Sequence, residues 1–277
     1  MAVEPLEVGV MFWADRAPRE KIGWVKSLGV SCGQLGLSGE ADISAAAGRA
    51  WREALEAEGF TLVTVFTAYT GESYADIPTV QRTVGFIPPR TRAEREARTL
   101  AASDFAVVLG APSLATHVGF VPHDRNDPDY LAVRDMVRRV CDKCAANGQT
   151  FALETGQEPA ATLLQFLGDV GRPNLKINFD PANMILYGTG DPIEALEVVK
   201  AHVVSVHCKD GDWPPQDVAG ALGTEQPLGK GSVGMPRFVA KLKEIGYAGP
   251  LTIEREVHGE QQRIDILAAV ELLRSLR

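Results

Sequence analysis

The chain has 277 residues, of which 45% are hydrophobic and 23% charged, and its formal net charge is −8. This length is typical of one α/β barrel, and the composition is that of a globular protein with a large core. The acidic balance disfavours nucleic acid or an anionic membrane as the main partner, because phosphate groups are bound by clustered Lys and Arg. The sequence lacks an apolar stretch of roughly 18 residues, and its start, MAVEPLEVGV, lacks a basic segment followed by an apolar core. We therefore expect a cytoplasmic protein.

Strand-like and helix-like segments alternate along the chain. Strands are predicted at 8–12, 32–35, 61–66, 113–117, 151–154, 176–180, 203–207 and 251–254. Alternation with helices indicates a parallel sheet, and eight strands are the number that closes a barrel. We therefore expect an α/β fold, a (β/α)8 TIM barrel formed by a single domain at 1–277. An open doubly wound sheet would need a glycine-rich phosphate turn after an early strand, which the sequence lacks.

Several predicted helices have recognisable starts. Thr91-Arg-Ala-Glu94 has the spacing of a capping box. Asp127-Pro128 and Asp191-Pro192 each place an N-cap residue before a proline at the first helical position. The last helix is predicted at roughly 261–276, with its apolar residues at helical spacing: Ile264, Leu267, Ala268 and Leu272.

The two longest irregular segments, 68–89 and 210–234, each follow a predicted strand. In a TIM barrel both would lie at the carboxyl face, where active-site loops are found. Within the second segment, Gly229-Lys-Gly231 fits either a phosphate-binding loop or a turn into the next helix, and we favour the turn.

Four strands in the second half each end on a residue that can bind a metal ion. These residues are Glu154, Asp180, His207 and Glu254. In each strand, apolar residues lie one and three places before the candidate ligand, and a small or polar residue lies two places before it. Because alternate side chains of a strand point to opposite faces, we expect the apolar pairs to face the helices and the ligands to face the barrel interior. Three carboxylates and one imidazole suit Mn²⁺, Mg²⁺, Co²⁺ or Zn²⁺.

The same alternation selects residues around this cluster. One layer below the ligands it predicts an inward-facing set that is mostly polar: Ala152, Asn178, Ser205 and Thr252. His117 ends the fourth strand in the same register, as either a substrate contact or a buried structural histidine. Lys209 follows His207 and is either an active-site cation or a solvated loop residue. Asn183 either binds a substrate hydroxyl or caps the turn that follows Asp180.

Aromatic residues recur at the predicted strand ends and could form a wall for the apolar face of a sugar. They are Phe12, Trp13, Phe66, Tyr69 and Phe120. Trp13 is the one we assign to substrate binding.

Several segments resemble the sugar phosphate isomerase/epimerase family of xylose-isomerase-like barrels. They are ALET around Glu154, NFDPAN around Asp180, VHCKD around His207, and GKGSVGMPRFVAKLKEIGYAGPLTIERE, which includes Glu254. The resemblance covers essentially the whole chain. It implies that these four residues bind one divalent ion, with Mn²⁺ the first choice, and that Glu154 and Glu254 also act as the acid and base.

The resemblance implies a metal-dependent sugar isomerase or epimerase that acts through an enediolate. Asn183, where a histidine is often found, departs from the epimerase pattern, and Lys209 lies in an H-x-K-D run that is more like inosose dehydratases. A dehydratase or keto-sugar lyase, with Lys209 or His117 protonating the leaving group, is therefore the second reading, and a non-catalytic sugar-binding barrel the third. A multi-zinc nuclease would need more than the five histidines present. The expected partner is a small sugar or keto-sugar, and a homo-oligomer is left open.

Overall fold

Eight parallel strands close into a barrel in the computed structural model, which describes residues 3–277. The barrel strands are β1 (Val8–Trp13), β2 (Cys32–Leu37), β3 (Thr61–Thr67), β4 (Ser113–Thr116), β5 (Thr150–Glu154), β6 (Leu175–Phe179), β7 (Val203–Cys208) and β10 (Leu251–Ile253). They pair in chain order, and β10 closes the barrel against β1. The predicted TIM barrel is confirmed. Within the segment predicted to be irregular after β7, two further strands form an antiparallel hairpin: β8 (Asp210–Asp212) and β9 (Thr224–Gln226).

Helices connect the strands and cover the outside of the barrel. They are α1 (Pro18–Ser27), α2 (Ala45–Glu58), α3 (Ile77–Thr83), α4 (Arg92–Leu109), α5 (Pro128–Ala146), α6 (Ala160–Val170), α7 (Pro181–Tyr187), α8 (Pro192–Val199), α9 (Met235–Glu244) and α10 (Glu260–Leu276). None of the helices within residues 3–277 is long and apolar enough to cross a membrane.

The predicted helix starts are correct in position, but one cap is wrong. Asp127 and Asp191 accept backbone N–H groups of the first turns of α5 and α8, as expected. Thr91 precedes α4, but its hydroxyl donates to the carbonyl of Pro88 and caps nothing. Its backbone is already in the helical region (φ −107°, ψ −4°), whereas an N-cap side chain reaches the N–H two or three residues on from an extended backbone.

Burial along α10 follows the apolar residues read from the sequence only in part, since Leu267 and Leu272 pack partly buried against the core but Ile264 does not. Ile264, from the expected stripe, is 51% exposed. The buried residues of the helix form a second stripe at i, i+3, i+4 and i+7: Ile266, Ala269, Val270 and Leu273. Asp265 lies beside this stripe and is buried because Arg255 pairs with it at 2.8 Å. An acidic residue next to the buried face concealed that face in the sequence.

Strand alternation sorts the side chains of β5 as predicted, but on β7 a register shift against β6 places Val204, which was expected to face the helices, against apolar residues inside the barrel. On β5, Phe151 and Leu153 point outward into the main core beneath the helices. Ala152 points inward, where it joins a small apolar cluster with Met11 and Phe66 that fills the barrel. This apolar cluster supports the polar residues at the carboxyl ends of the strands, where the candidate site lies.

Candidate active site

The four candidate ligands meet at the carboxyl mouth of the barrel. Glu154 ends β5, Asp180 follows β6, His207 lies near the end of β7, and Glu254 follows β10. One ligand atom from each residue lies within 4.8 Å of the others. His207 Nδ1 is 2.6 Å from Glu154 Oε1, 3.2 Å from Glu254 Oε2 and 3.6 Å from Asp180 Oδ2. Closure of the barrel therefore converts four separate strand ends into one cluster.

The arrangement of oxygen atoms in this cluster fits a divalent cation. Glu154 Oε1 and Asp180 Oδ2 are buried, and within residues 3–277 neither meets the geometry of a hydrogen bond; the nitrogen atom close to both is His207 Nδ1, at 2.6 and 3.6 Å. A buried carboxylate oxygen without a partner is energetically costly unless a cation takes it. Three hard oxygen donors and an imidazole are a ligand set typical of divalent first-row metals. The cluster can therefore hold such an ion.

The two carboxylate oxygens of Asp180 have different roles, because one caps a helix and the other faces the cluster. Oδ1 accepts the backbone N–H of Asn183 at 2.9 Å and so caps α7. The backbone of Asp180 is fixed by Thr155, whose hydroxyl both accepts its N–H and donates to its carbonyl. Only Oδ2 is left to face the cluster. The side chain of Asn183 does not cap this turn, because Asp180 already does.

A glutamine that the sequence did not reveal orients His207. Gln34, inward on β2, lies with Oε1 3.2 Å from His207 Nε2. The amide nitrogen of Asn178 is 3.2 Å from Nε2 and 3.5 Å from Nδ1, which places it against the ring face. Gln34 is therefore the in-plane partner of Nε2, and Nδ1 is directed at the carboxylates.

The predicted polar layer is part of the same network. Asn178 Oδ1 accepts from Gln34 Nε2 at 3.2 Å and from the hydroxyl of Ser205 at 2.5 Å. Thr252 completes the layer, although its hydroxyl has no partner among the described residues. Residues of three strands, β2, β6 and β7, thus hold the imidazole through contacts far apart in the sequence.

His117 lies in the site and contacts Glu154. Its Nε2 is 2.5 Å from Glu154 Oε2, and its Nδ1 is 3.1 Å from the amide nitrogen of Gln157. An amide donor on Nδ1 leaves Nε2 to donate to the carboxylate. The rings of Phe66 and Tyr74 pack against the imidazole with centroid distances of 5.8 and 5.6 Å. The side chain of His117 also lines the cavity.

Lys209 is buried at the site, so the solvated-loop reading is wrong. It is 3% exposed, and Nζ lies 3.2 Å from Glu254 Oε2 and 2.6 Å from Glu256 Oε1. A third contact, at 3.4 Å, reaches the side-chain oxygen of Asn183. Each of the two candidate acid/base glutamates therefore has its own nitrogen partner: Glu154 has His117, and Glu254 has Lys209.

Opposite charges control the protonation of the cluster. Burial alone would raise the pKa of Glu154, but His117 and His207 outweigh this effect and lower the pKa to about 2. Burial also raises the pKa of Glu254, but His207 and Lys209 together outweigh this effect and lower the pKa below its usual value. Burial raises the pKa of Asp180 to about 6. Burial lowers the pKa of His207, but Glu254 and Glu154 raise it well above its usual value, so a cation bound at Nδ1 would displace a proton.

A cavity of about 840 Å³ opens above the cluster. Its aromatic lining is Trp13, Phe66, Tyr74 and Tyr187. The ring of Trp13 lies over Gly36 of β2, where a Cβ would come within 2.6 Å of the ring. Three other aromatics predicted for this wall do not line the cavity. Phe12 points outward between Trp51 and Phe60, Tyr69 is bound to Thr99 and Thr116, and Phe120 packs behind Tyr187.

The glycine-rich stretch after β7 is a turn, as favoured from the sequence. The Asp210 carboxylate accepts the backbone N–H groups of Gly211, Gly229 and Val233 at 2.9 to 3.1 Å. A Cβ at Gly231 would come within 2.5 Å of the same carboxylate. The Asp210 carboxylate therefore already accepts the backbone N–H groups that a phosphate would need.

Glu158 is a second residue that the sequence did not reveal. It is buried behind His117, and Oε1 accepts the N–H of Val121 at 2.7 Å. Burial raises its pKa to about 8. The carboxyl thus keeps its proton in the folded protein at neutral pH and fixes the loop after β4.

The fold and the cluster define a TIM barrel with a group of side chains at its carboxyl mouth that could hold a metal ion. The model of the xylose isomerase-like TIM barrel family matches residues 22–276. The chain therefore belongs to this family, as the sequence resemblance implied.

Solved structures agree with this assignment. The xylose isomerase domain protein from Planctomyces limnophilus is 44% identical, with a TM-score of 0.94 over 99% of this chain and 98% of that one. The D-allulose 3-epimerase from Methylomonas sp. is 16% identical (TM-score 0.74, 99% and 98% covered). The probable 3-DHS dehydratase AsbF from Bacillus anthracis is 15% identical (TM-score 0.69, 96% and 98% covered). The last two share the fold. None of the curated proteins matches the chain.

The raised pKa of Glu158 predicts a pH-dependent stability difference. The folded state holds the proton up to about pH 8, whereas the unfolded carboxyl ionises near its ordinary pKa of 4.5. Stability from this group is therefore present below pH 4.5 and is lost as the pH rises to 8. In urea unfolding, Glu158→Gln should match the wild type near pH 4.5 and exceed it at pH 8.5 by on the order of 3 kcal/mol. An equal difference at both pH values would contradict the assignment.

Proposed function

We propose that the protein is a divalent-metal-dependent sugar isomerase or epimerase. The observation that carries this proposal is the placement of two glutamates in one metal-binding cluster, each backed by a different nitrogen group. Glu154, Asp180, His207 and Glu254 would hold the ion, with Mn²⁺ the first choice. When bound, the ion would polarise a sugar carbonyl and the adjacent hydroxyl and so acidify the C–H between them.

The protein residues carry the proton. One of Glu154 and Glu254 removes it from the carbon next to the carbonyl, and the other returns it. The two side chains project from β5 and from the end of β10, on different sides of the cluster. Proton transfer to opposite faces of one carbon requires this placement. A positioned carboxylate contributes roughly 10²–10⁴-fold to such a step.

Each of the two glutamates has a nitrogen group beside it that fixes one carboxylate oxygen. His117 holds Glu154 Oε2, and Lys209 holds Glu254 Oε2. The positive charge on each nitrogen group can balance the negative charge of its carboxylate as the protonation of that carboxylate changes. The similarity of the barrel to a D-allulose 3-epimerase is consistent with the proposal.

A dehydratase or lyase is the second candidate, and the position of Lys209 favours it. Its ammonium group lies at the cavity floor, where it could protonate a leaving hydroxyl or alkoxide one carbon beyond the enolate. The barrel is also similar to a probable dehydratase. A sugar-binding protein without catalysis is the least favoured of the three candidate functions, because all four candidate ligands and both glutamate partners are present and placed together.

The role of Gln34 gives a prediction about metal affinity. Gln34→Leu should weaken Mn²⁺ binding roughly 10- to 100-fold, because His207 loses the partner that directs Nδ1 to the cluster. Calorimetric titration of Mn²⁺ measures this change. Gln149→Leu is the matched control, since Gln149 is also buried but bonds Ser103 and the carbonyl of Ala111. Equal loss in both variants would show a general effect on folding.

Solvent exchange separates the two enzyme reactions. With metal and a panel of ketoses and keto-sugars in deuterated water, an isomerase or epimerase should place deuterium at the carbon next to the carbonyl. Glu154→Gln and Glu254→Gln should each reduce exchange by at least about 100-fold while Mn²⁺ stays bound, because the amide keeps an oxygen ligand but cannot carry the proton. Nuclear magnetic resonance detects the exchange. Unsaturated ketones without an isomerised sugar would instead establish elimination.

A further inference from the structure

The loop after β3 contributes to the cavity and contains a buried carboxylate. This loop covers residues 68–86 and includes α3. Tyr74, Asp76 and Pro78 of the loop line the cavity. The side chain of Glu72, in the same loop, is only 6% exposed. Its carboxylate is a buried charge that the proposed proton transfer does not use.

The Glu72 carboxylate joins the two ends of the loop. Oε2 accepts the backbone N–H of Tyr69 at 2.9 Å, and Oε1 accepts the backbone N–H of Gly85 at 2.8 Å. Each carboxylate oxygen therefore binds a different end of the loop. The segment between these ends carries the side chains that reach the cavity.

Arg95 of α4 compensates the charge of Glu72 and binds the same two loop ends. Its Nη1 donates to the carbonyl of Gly85 at 2.5 Å and lies 4.0 Å from Glu72 Oε1. Its Nη2 donates to the carbonyl of Thr70 at 3.4 Å, and the guanidinium lies over the ring of Tyr69 at 5.4 Å. A buried carboxylate is tolerated when its charge is paired and its oxygens are hydrogen-bonded, and both conditions are met here.

The two loop ends also bind the chain on either side of His117. The hydroxyl of Thr116 donates to the hydroxyl of Tyr69 at 3.2 Å. The backbone N–H of Phe86 donates to the carbonyl of Val118 at 2.8 Å. Both neighbours of His117 in the chain are therefore bound to the loop after β3.

The loop and the segment around His117 are also packed directly on each other. A Cβ at Gly85 would come within 2.2 Å of the carbonyl oxygen of Val118, so the two backbones are in contact. From within the loop, the ring of Tyr74 packs on the imidazole of His117 with a centroid distance of 5.6 Å. The loop thus holds this histidine through its ring and through both of its chain neighbours.

We propose that Glu72 is a positioning residue, which fixes the loop after β3 so that His117 keeps its contact with Glu154. The catalytic consequence rests on the proposed function, because that function makes Glu154 one of the two groups that move the proton. Loss of the Glu72 hydrogen bonds should displace His117, and with it the Glu154 carboxylate, without removing a candidate ligand. Small displacements of catalytic groups are costly in rate. Glu254, which is held by Lys209, should stay in place.

Glu72→Gln tests this role, because the amide has nearly the shape of the carboxylate but only one acceptor oxygen. The N–H of either Tyr69 or Gly85 then meets an amide donor and loses its hydrogen bond. In the Mg²⁺-loaded protein with isotope-labelled histidine, the Nε2–H of His117 should exchange with solvent about tenfold faster than in the wild type. Nuclear magnetic resonance measures this exchange, and loss of the signal in His117→Asn assigns it.

Glu96→Gln is the matched control. The Glu96 carboxylate is 19% exposed and also accepts two hydrogen bonds, but both come from Arg139 of α5 in the outer helical layer. This variant should leave the exchange at His117 unchanged. Equal acceleration in both variants would show a general loosening of the fold and overturn the inference, as would an unchanged His117 signal in Glu72→Gln.

Tyr69→Phe is a second variant that keeps the ring beside Arg95. It removes the hydroxyl that accepts from Thr116, and it should accelerate the exchange at His117 about threefold, because one of the two attachments is lost. If Glu72→Gln does not fold, this variant decides the test, and an unchanged His117 signal in Tyr69→Phe would then overturn the inference.

Turnover separates this inference from the proposed function. On a substrate found by deuterium exchange, Glu72→Gln should lower kcat about tenfold and change KM by less than about twofold, because the cluster itself is intact. Faster exchange at His117 with no turnover by the wild type would overturn the proposed isomerase or epimerase and leave the positioning role of Glu72 standing. Wild-type turnover, with both kcat and the His117 signal unchanged in Glu72→Gln, would support the proposed function and overturn the inference.

Discussion

Three carboxylates share the mouth of this barrel, and the structure depends on how their charge is compensated. Glu154, Asp180 and Glu254 lie within 4.8 Å of His207 and of each other, almost entirely out of water. Like charges at such distances in a medium of low dielectric repel strongly, and each ion also loses its hydration. The imidazole of His207 lies between the three carboxylates, and Lys209 flanks Glu254. A divalent cation would complete this compensation.

The central place of His207 explains the polar interior of an otherwise apolar barrel. Gln34, Asn178 and Ser205 come from three strands, and their hydrogen bonds fix the ring. Beside them in the barrel interior, Met11, Phe66 and Ala152 form an apolar cluster. Precise orientation on a packed support is what a site for proton transfer needs, because small displacements of the catalytic groups are costly in rate.

Much of the fold and the ligand set could be predicted because both follow from local patterns. Each ligand ends a strand, and barrel closure brings parallel strand ends together whatever the loops do. The roles of Gln34, Gln157 and Glu158 depend on contacts between segments distant in sequence. A glutamine flanked by glycine and leucine in β2 carries no local sign that it will meet a histidine on β7.

The errors in prediction have similar causes. Phe12 and Trp13 both lie at the end of β1, but alternation turns Phe12 to the helices and leaves only Trp13 at the cavity. Position at a strand end was therefore an insufficient criterion. Thr91 has the spacing of a cap without the extended backbone that a cap requires. In α10 the most deeply buried residues are Ile266, Ala269, Val270 and Leu273, while Leu267 and Leu272 lie at the edge of the buried face and Ile264 is exposed.

Anomalous diffraction from crystals grown with Mn²⁺ would test the central claim most directly. The charge-compensation account predicts one anomalous peak roughly 2.0–2.6 Å from a carboxylate oxygen of Glu154, Asp180 and Glu254 and from Nδ1 of His207. Nε2 of His207 should remain bound to Gln34. An ordered site with no peak at saturating Mn²⁺, or a peak bound through Nε2, would contradict the account.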